Sequence, residues 1–171
     1  MATTNSILTY IPFETNLGWM GIVFSSEGLR RVILPQKSKE KLLSIFKGMY
    51  HHGAKYNSDY TRELFKRLRL YLSGENVCFP DKLDLNCTTS FQQNVWKVTI
   101  SIPYGDTRSY GWIANRINCK SPRAVGQALS KNPLPIIIPC HRVISSDGNL
   151  GGFSGGIEMK NHLLRLESSN I

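Results

Sequence analysis

Between Ser6 and Gln36 the apolar residues come in three short runs, Ile7 to Ile11, Trp19 to Phe24 and Leu29 to Leu34, separated by the turn formers Asn16, Gly18, Ser26 and Gly28. Runs of this length, rich in β-branched and aromatic residues, predict three strands in an antiparallel meander. The period then changes. Lys37 to Tyr50 predicts a basic helix, and Asn57 to Leu72 predicts a second with Tyr60, Leu64, Leu68, Tyr71 and Leu72 on one stripe. Arg62, Lys66 and Arg69 fall off that stripe and read as solvent-facing cover. Ser73 to Thr89, with Gly74, Pro80 and mixed charge, reads as a linker.

Beyond the linker the helical period dominates. Phe91 to Val98 opens a helix in which Phe91, Val95 and Val98 share a face expected to join the core. A turn at Ile102 to Thr107 precedes a helix from Ser109 to Ile117, with Tyr110, Ile113, Ala114 and Ile117 at i, i+3, i+4, i+7 spacing. After a break at Asn118 to Lys120, Ser121 is placed to cap a further helix with Pro122 at its first position, running to Lys131. Two short helices joined this way outline a helix-turn-helix, although any helical hairpin gives the same outline. In the second helix Ala124, Val125, Ala128 and Leu129 can pack inward, while Arg123, Gln127 and Lys131 recur every four residues outward. Its first turn is small apart from Arg123, which suits close approach to a groove.

The candidate chemistry sits in the run Pro133 to Val143. The prolines deny this run a helix, so Pro133 to Pro139 reads as a buried extended segment, and Cys140 stands at its end. Free cysteine is only slightly ionised at neutral pH, so a nucleophilic one needs a basic or positive neighbour, and His141 and Arg142 both qualify. Ser145 to Gly156 is a glycine-rich loop that lacks a Walker lysine and the dinucleotide spacing; its glycines suit backbone approach to a flat ligand. A last helix, Ile157 to Glu167, puts Glu167 on one side with Met159 and Leu163, and a carboxylate on a buried stripe needs a partner.

Composition narrows the setting. The chain has 171 residues and a formal charge of +9, which favours a polyanionic partner such as nucleic acid; a solvated basic surface fits the charge equally well. Its four cysteines, Cys78, Cys87, Cys119 and Cys140, form no CxxC pair and match no zinc spacing, so neither a disulfide framework nor a metal site is expected. Cys78, Cys87 and Cys119 receive no role, and His51, His52 and His162 read as surface residues. No stretch reaches eighteen apolar residues and the N-terminus lacks a leader pattern, which predicts an intracellular protein, cytoplasmic or nuclear, with no membrane contact.

Several of these segments, in this order, resemble the O6-alkylguanine-DNA alkyltransferases, also called methylated-DNA-protein-cysteine methyltransferases. The segments are Ser90-Phe91-Gln92, IPYGDTRSY, SPRAVGQAL, NPLPIIIPCHRV, GGFSGG and LLRLE. The resemblance implies an α/β fold of the α+β kind. A small N-terminal three-stranded antiparallel sheet with helices, ribonuclease-H-like, would occupy residues 1–80. A mostly helical DNA-binding and active-site domain with the helix-turn-helix would occupy 81–171. It further implies that Cys140 accepts the alkyl group irreversibly and in a single turnover. His141 acts as its base through a bridging water, Glu167 orients His141, Asn132 ties down the turn before the active-site segment, and Tyr110 donates to the guanine ring. The carbonyls of Cys140 and Val143 would accept from the guanine exocyclic amine, the Ser154 amide would face O6, and Gly155 and Pro135 would complete the pocket.

Arg123 would fill the space left by the flipped nucleotide. Ser121, Pro122, Ala124, Gly126 and Gln127 would enter the minor groove with it, binding double-stranded DNA with weak sequence specificity. The resemblance implies a monomer needing no cofactor, with O4-alkylthymine as a further candidate substrate. Taken singly, Tyr110 also fits a core aromatic, Arg123 a surface charge and Asn132 a helix C-cap. Three rival readings are a non-catalytic sensor of alkyl lesions, an alkylation-responsive transcription regulator and a cysteine hydrolase. The sensors of this family replace the acceptor cysteine, which is present here. A regulator needs additional segments, and a hydrolase needs turnover on an acyl substrate.

Overall fold

The computed structural model describes residues 8–49, 55–56 and 62–168. Ile7, Tyr50, His51, His52 and the start of the second predicted helix, including Tyr60, lie outside them. The meander forms: β1 (Thr9–Thr15) pairs antiparallel with β2 (Gly18–Ser25), and β2 with β3 (Gly28–Gln36). After α1 (Lys39–Met49), the two-residue β4 (Lys55–Tyr56) adds in parallel to β1, giving the order β3-β2-β1-β4. Among the described residues β4 pairs with Thr9 and Tyr10, and Pro12, which has no N–H to give, lies beyond that pairing.

The period of two decides which helix covers which face. Tyr10, Gly21 and Val23 share the face that α1 covers, where Phe46 meets Tyr10 at a ring separation of 4.6 Å. A Cβ at Gly21 would lie 2.4 Å from Phe46, so this close packing requires glycine. On the Ile11 and Phe13 face lies α2 (Arg62–Leu72), whose Phe65 stacks on Phe13 at 4.5 Å and whose Leu64, Leu68, Tyr71 and Leu72 are buried.

The stretch read as a linker is not free. The Leu29 amide donates to the Lys82 carbonyl and the Asp84 amide to the Leu29 carbonyl, both at 2.8 Å, while Asp81 takes both hydrogen bonds from Arg67. The chain accordingly separates into two units. One runs up to Ser73 and takes in Val77–Asp84; the other comprises Gly74–Asn76 and everything from Leu85 onward.

The second unit is mostly helical. A capping box between Thr89 and Gln92 starts α3 (Ser90–Ile100). Its buried stripe is Val95, Trp96 and Thr99 rather than the predicted Phe91, Val95 and Val98; Phe91 is exposed. A turn further around the helix, the large indole of Trp96 takes the core position, and its Nε1 donates to the Ala128 carbonyl at 3.1 Å. There follow β5 (Arg108–Ser109), α4 (Tyr110–Arg116), α5 (Pro122–Ser130), a 3-10 turn over Cys140–Arg142, β6 (Val143–Ile144), which pairs in parallel with β5, and α6 (Ile157–Ser168). Among the described residues no helix is long and apolar enough to cross a membrane.

Candidate active site

Local capping sets the two helices that frame the site. Ser109 caps α4 by accepting from the Trp112 amide, and Ser121 caps α5 by accepting from the Ala124 amide with Pro122 in the first turn. Between them Asn118 adopts a left-handed φ of 54°, a conformation asparagine tolerates. In α5, Val125, Ala128 and Leu129 are buried, Ala124 is half-buried, and Arg123, Gln127 and Lys131 are exposed. This is the inward and outward division the spacing predicts.

The run before Cys140 is buried as expected but is not extended. Ile136 has φ 76°, a region β-branched residues avoid, and the Ile138 amide turns back to the Leu134 carbonyl at 2.8 Å. Asn132 holds this turn: its Oδ1 accepts from the Leu134 amide at 2.9 Å, and its Nδ2 donates to the Ile138 carbonyl at 2.8 Å. The same Nδ2 donates to the Cys140 sulfur at 3.0 Å. One amide side chain thus shapes the strained turn and touches the Cys140 sulfur.

Past Cys140 the charges are buried together. Glu167, 1% exposed, meets His141 Nε2 at 2.8 Å, accepts from Arg142 Nε at 2.9 Å and from another guanidinium nitrogen at 3.0 Å, and accepts from the Gly105 amide at 3.1 Å. Arg142 also donates to the Ile102 carbonyl at 2.7 Å. Arg142 therefore serves the acid rather than the thiol, correcting the reading that made it a positive neighbour of Cys140. Burial pushes the His141 pKa down, and Glu167 opposes this without reversing it, so the imidazole is neutral at pH 7. Because a carboxylate only accepts, Nε2 carries the proton and Nδ1 keeps the basic lone pair. Burial pushes the Cys140 thiol up; the Asn132 hydrogen bond and the Lys160 charge pull it back.

Cys140 lies on the wall of a cavity of about 630 Å³. Tyr110, Pro122, Arg123, Gly126, Gln127 and Ser154, all predicted site residues, line it with Cys140. So do Leu129, Ser130, Gly151, Gly152 and Phe153, which were not singled out. The Tyr110 hydroxyl would lie 2.7 Å from a Cβ at Gly151, whose φ is 67°, so glycine is required where the loop meets the phenol. Burial, and then the neighbouring Cys140 charge, raise the Tyr110 pKa, keeping the phenol a donor.

Other predicted residues lie off the cavity wall. Pro135 is buried in the turn, Gly155 and Ser121 are exposed, and Val143 is fully buried with its carbonyl accepting from Lys160 at 2.6 Å. That leaves only a second lone pair of Val143 for a substrate. Lys160 was missed altogether. The signal was available: Lys160, Leu163 and Glu167 fall at i, i+3, i+7, so a stripe expected to be buried carries a cation as well as an acid.

The chain is similar to known proteins. The family described as 6-O-methylguanine DNA methyltransferase, DNA binding domain, matches residues 90–169. A methylated-DNA-protein-cysteine methyltransferase of Methanosarcina acetivorans is 40% identical over 161 residues, covering 94% of this chain and 98% of that protein. The crystal structure of Mycobacterium tuberculosis O6-methylguanine methyltransferase aligns with a TM-score of 0.78 at 35% identity, covering 96% of this chain and 94% of that one. A crystal structure of Mycobacterium tuberculosis OGT in complex with DNA aligns at the same score with 37% identity, covering 94% and 93%. Similarity over nearly the full length of both partners places the chain in the methylated-DNA-protein-cysteine methyltransferase family.

Proposed function

We propose that this protein repairs alkylated duplex DNA by everting an O6-alkylguanine into the cavity and moving its alkyl group onto Cys140, once per protein molecule. The observation that carries this reading is that Cys140 and helix α5 line one cavity. A base stacked in a duplex cannot present its alkyl carbon to a protein sulfur, so it must leave the stack at a cost of a few kcal/mol. Arg123, exposed at the cavity rim, is placed to offset part of that cost by occupying the gap. With α5 in the minor groove, contacts fall mainly on phosphates, which makes binding tolerant of sequence and sensitive to salt.

In the chemical step the sulfur attacks the alkyl carbon in line and the carbon–O6 bond breaks, leaving its electron pair on the guanine. His141 takes the thiol proton at Nδ1 through a bridging water, and the Glu167 carboxylate stabilises the imidazolium that forms. Tyr110 supplies a proton to the departing ring, the Ser154 amide steadies O6, and the proton held on His141 then returns to Tyr110 through water, so the net change carries the thiol proton away with guanine. Asn132 pulls the thiol pKa down against the burial that raises it. This suits the chemistry, because nucleophilicity falls with thiol pKa with a Brønsted coefficient of about 0.4 to 0.5. The product is a thioether with no easy hydrolytic exit, which is why one molecule acts once.

The test is mass spectrometry after incubation with duplex DNA containing O6-methylguanine. A gain of one CH2 on the Cys140 peptide, stoichiometric and without turnover, is expected. An unmodified chain that still binds the lesion would mean a sensor instead.

A further inference from the structure

We propose that Trp96 is a positioning residue that sets the register between helix α5 and the acceptor Cys140. The inference rests on alkyl transfer to Cys140 from an everted base, as proposed above. Helices are commonly closed by a glycine in the left-handed region, which satisfies their last carbonyls. α5 has no such residue: its C-cap is Lys131 at φ −95°, and Asn132 follows. Its last turn tightens instead, the Lys131 amide donating to the Ala128 carbonyl at 3.2 Å and the Asn132 amide to the Leu129 carbonyl at 3.1 Å. The carbonyl of Ala128, a residue only 3% exposed, then takes a second hydrogen bond from Trp96 Nε1 at 3.1 Å. An indole from another helix thus closes the end of α5.

What hangs from that end is the acceptor turn. Asn132 comes soon after Ala128 and, through its side chain, fastens Leu134, Ile138 and the Cys140 sulfur. These bonds make Asn132 and the acceptor turn one local unit, so the joint between that unit and α5 lies in the stretch from Ala128 to Asn132. Trp96 holds this joint. It is buried, its N–H is the one polar group of the indole, and α3, which carries it, packs against both α5 and the turn over Cys140–Arg142. The neighbouring Ser130 hydroxyl does not span the joint, because it donates back within α5 to the Gln127 carbonyl at 2.8 Å. An everted base is delivered by α5, on which Arg123 and Gln127 face outward, whereas the sulfur is fixed beyond the joint. Movement of one against the other misaligns an in-line displacement, and a misplacement of about 1 Å can slow a reaction on the order of a hundredfold. A base that enters unattached to DNA does not depend on that register.

The experiment compares the wild type with Trp96→Phe and with a variant carrying benzothienylalanine at position 96, which keeps the ring shape and replaces the N–H with sulfur. For each protein two rates of methyl transfer to Cys140 are read, one from saturating duplex DNA containing O6-methylguanine and one from the free O6-methylguanine base. Their ratio does not depend on the folded fraction, so a variant that folds poorly is still decided. The benzothienyl variant is expected to lower the duplex-to-free ratio on the order of tenfold while binding duplex DNA with near wild-type affinity. Trp96→Phe is expected to lower the ratio at least as far. An unchanged ratio in both variants, which includes equal slowing from both substrates, would overturn the role of Trp96 and leave alkyl transfer standing. A wild type that gains no methyl group from either substrate would remove alkyl transfer, and this inference with it.

Discussion

The sheet unit closes its interior with hydrocarbon, through Met20, Ile22, Val23, Leu42 and Phe46, and keeps nearly all its charges at the edge. The unit carrying Cys140 does the opposite. Of the seven buried polar or charged side chains among the described residues, only Asp84 lies in the sheet unit. Thr99, Asn132, His141, Arg142, Lys160 and Glu167 all lie in the other. Buried charge is a poor way to gain stability, since desolvation can outweigh the attraction. The difference teaches that the second unit gives its interior to polar groups, as the proposed reaction would require, where the sheet unit gives its own to packing.

The sharpest way to break this comparison is at the sulfur. Cys140→Ala should abolish methyl transfer while leaving affinity for duplex DNA within a small factor, read by fluorescence anisotropy; an equal loss of both would merge the roles assigned to cavity and helix. Next comes Glu167→Gln. It leaves Arg142 and His141 buried without their acid, and should cost roughly 3 to 5 kcal/mol in denaturant unfolding while slowing transfer. Phe46→Ala, in the hydrocarbon core of the sheet unit, should lose a similar roughly 3 to 5 kcal/mol, yet leave transfer per folded molecule unchanged.

A smaller effect appears as a slope. The His141 pKa is depressed in the folded chain, so the unfolded chain binds the proton first, and this contribution to stability is lost as pH falls below about 6.5. His141→Gln should flatten the decline in unfolding free energy between neutral and mildly acidic pH; an unchanged slope would place the acid sensitivity elsewhere. The smallest expected effect is at the exposed Lys82–Glu27 pair, where Glu27→Gln should change stability by less than about 0.5 kcal/mol.

Much of this was legible in the residues, for identifiable reasons. Caps and breakers are local, so Ser121, Pro122 and the helix they start could be read directly, while the helix before it was legible from its apolar spacing. The demand of Glu167 for a partner followed from its place on an apolar stripe, and His141 and Arg142 are its partners. What depended on long-range packing was not legible. Nothing in Pro133 to Pro139 indicates that Ile136 would be forced into a left-handed turn, because the force comes from Asn132 bridging to Leu134 and Ile138. Phe91 reads as a core residue by type and period, yet Trp96 of the same helix occupies the interior instead. Lys160 was passed over because a lysine on a helix is ordinarily solvated, and only the convergence of three carbonyls from other segments makes its burial tolerable.

The carboxylate at position 167 has a consequence for how the protein is made. It stands 26 residues after the histidine it binds and, through Gly105, also fastens a turn that precedes the helix-turn-helix. A ribosome adds residues in order, so Cys140 and His141 are made before Glu167. Until the last helix folds back, His141 and Arg142 lack the carboxylate that both of them bind.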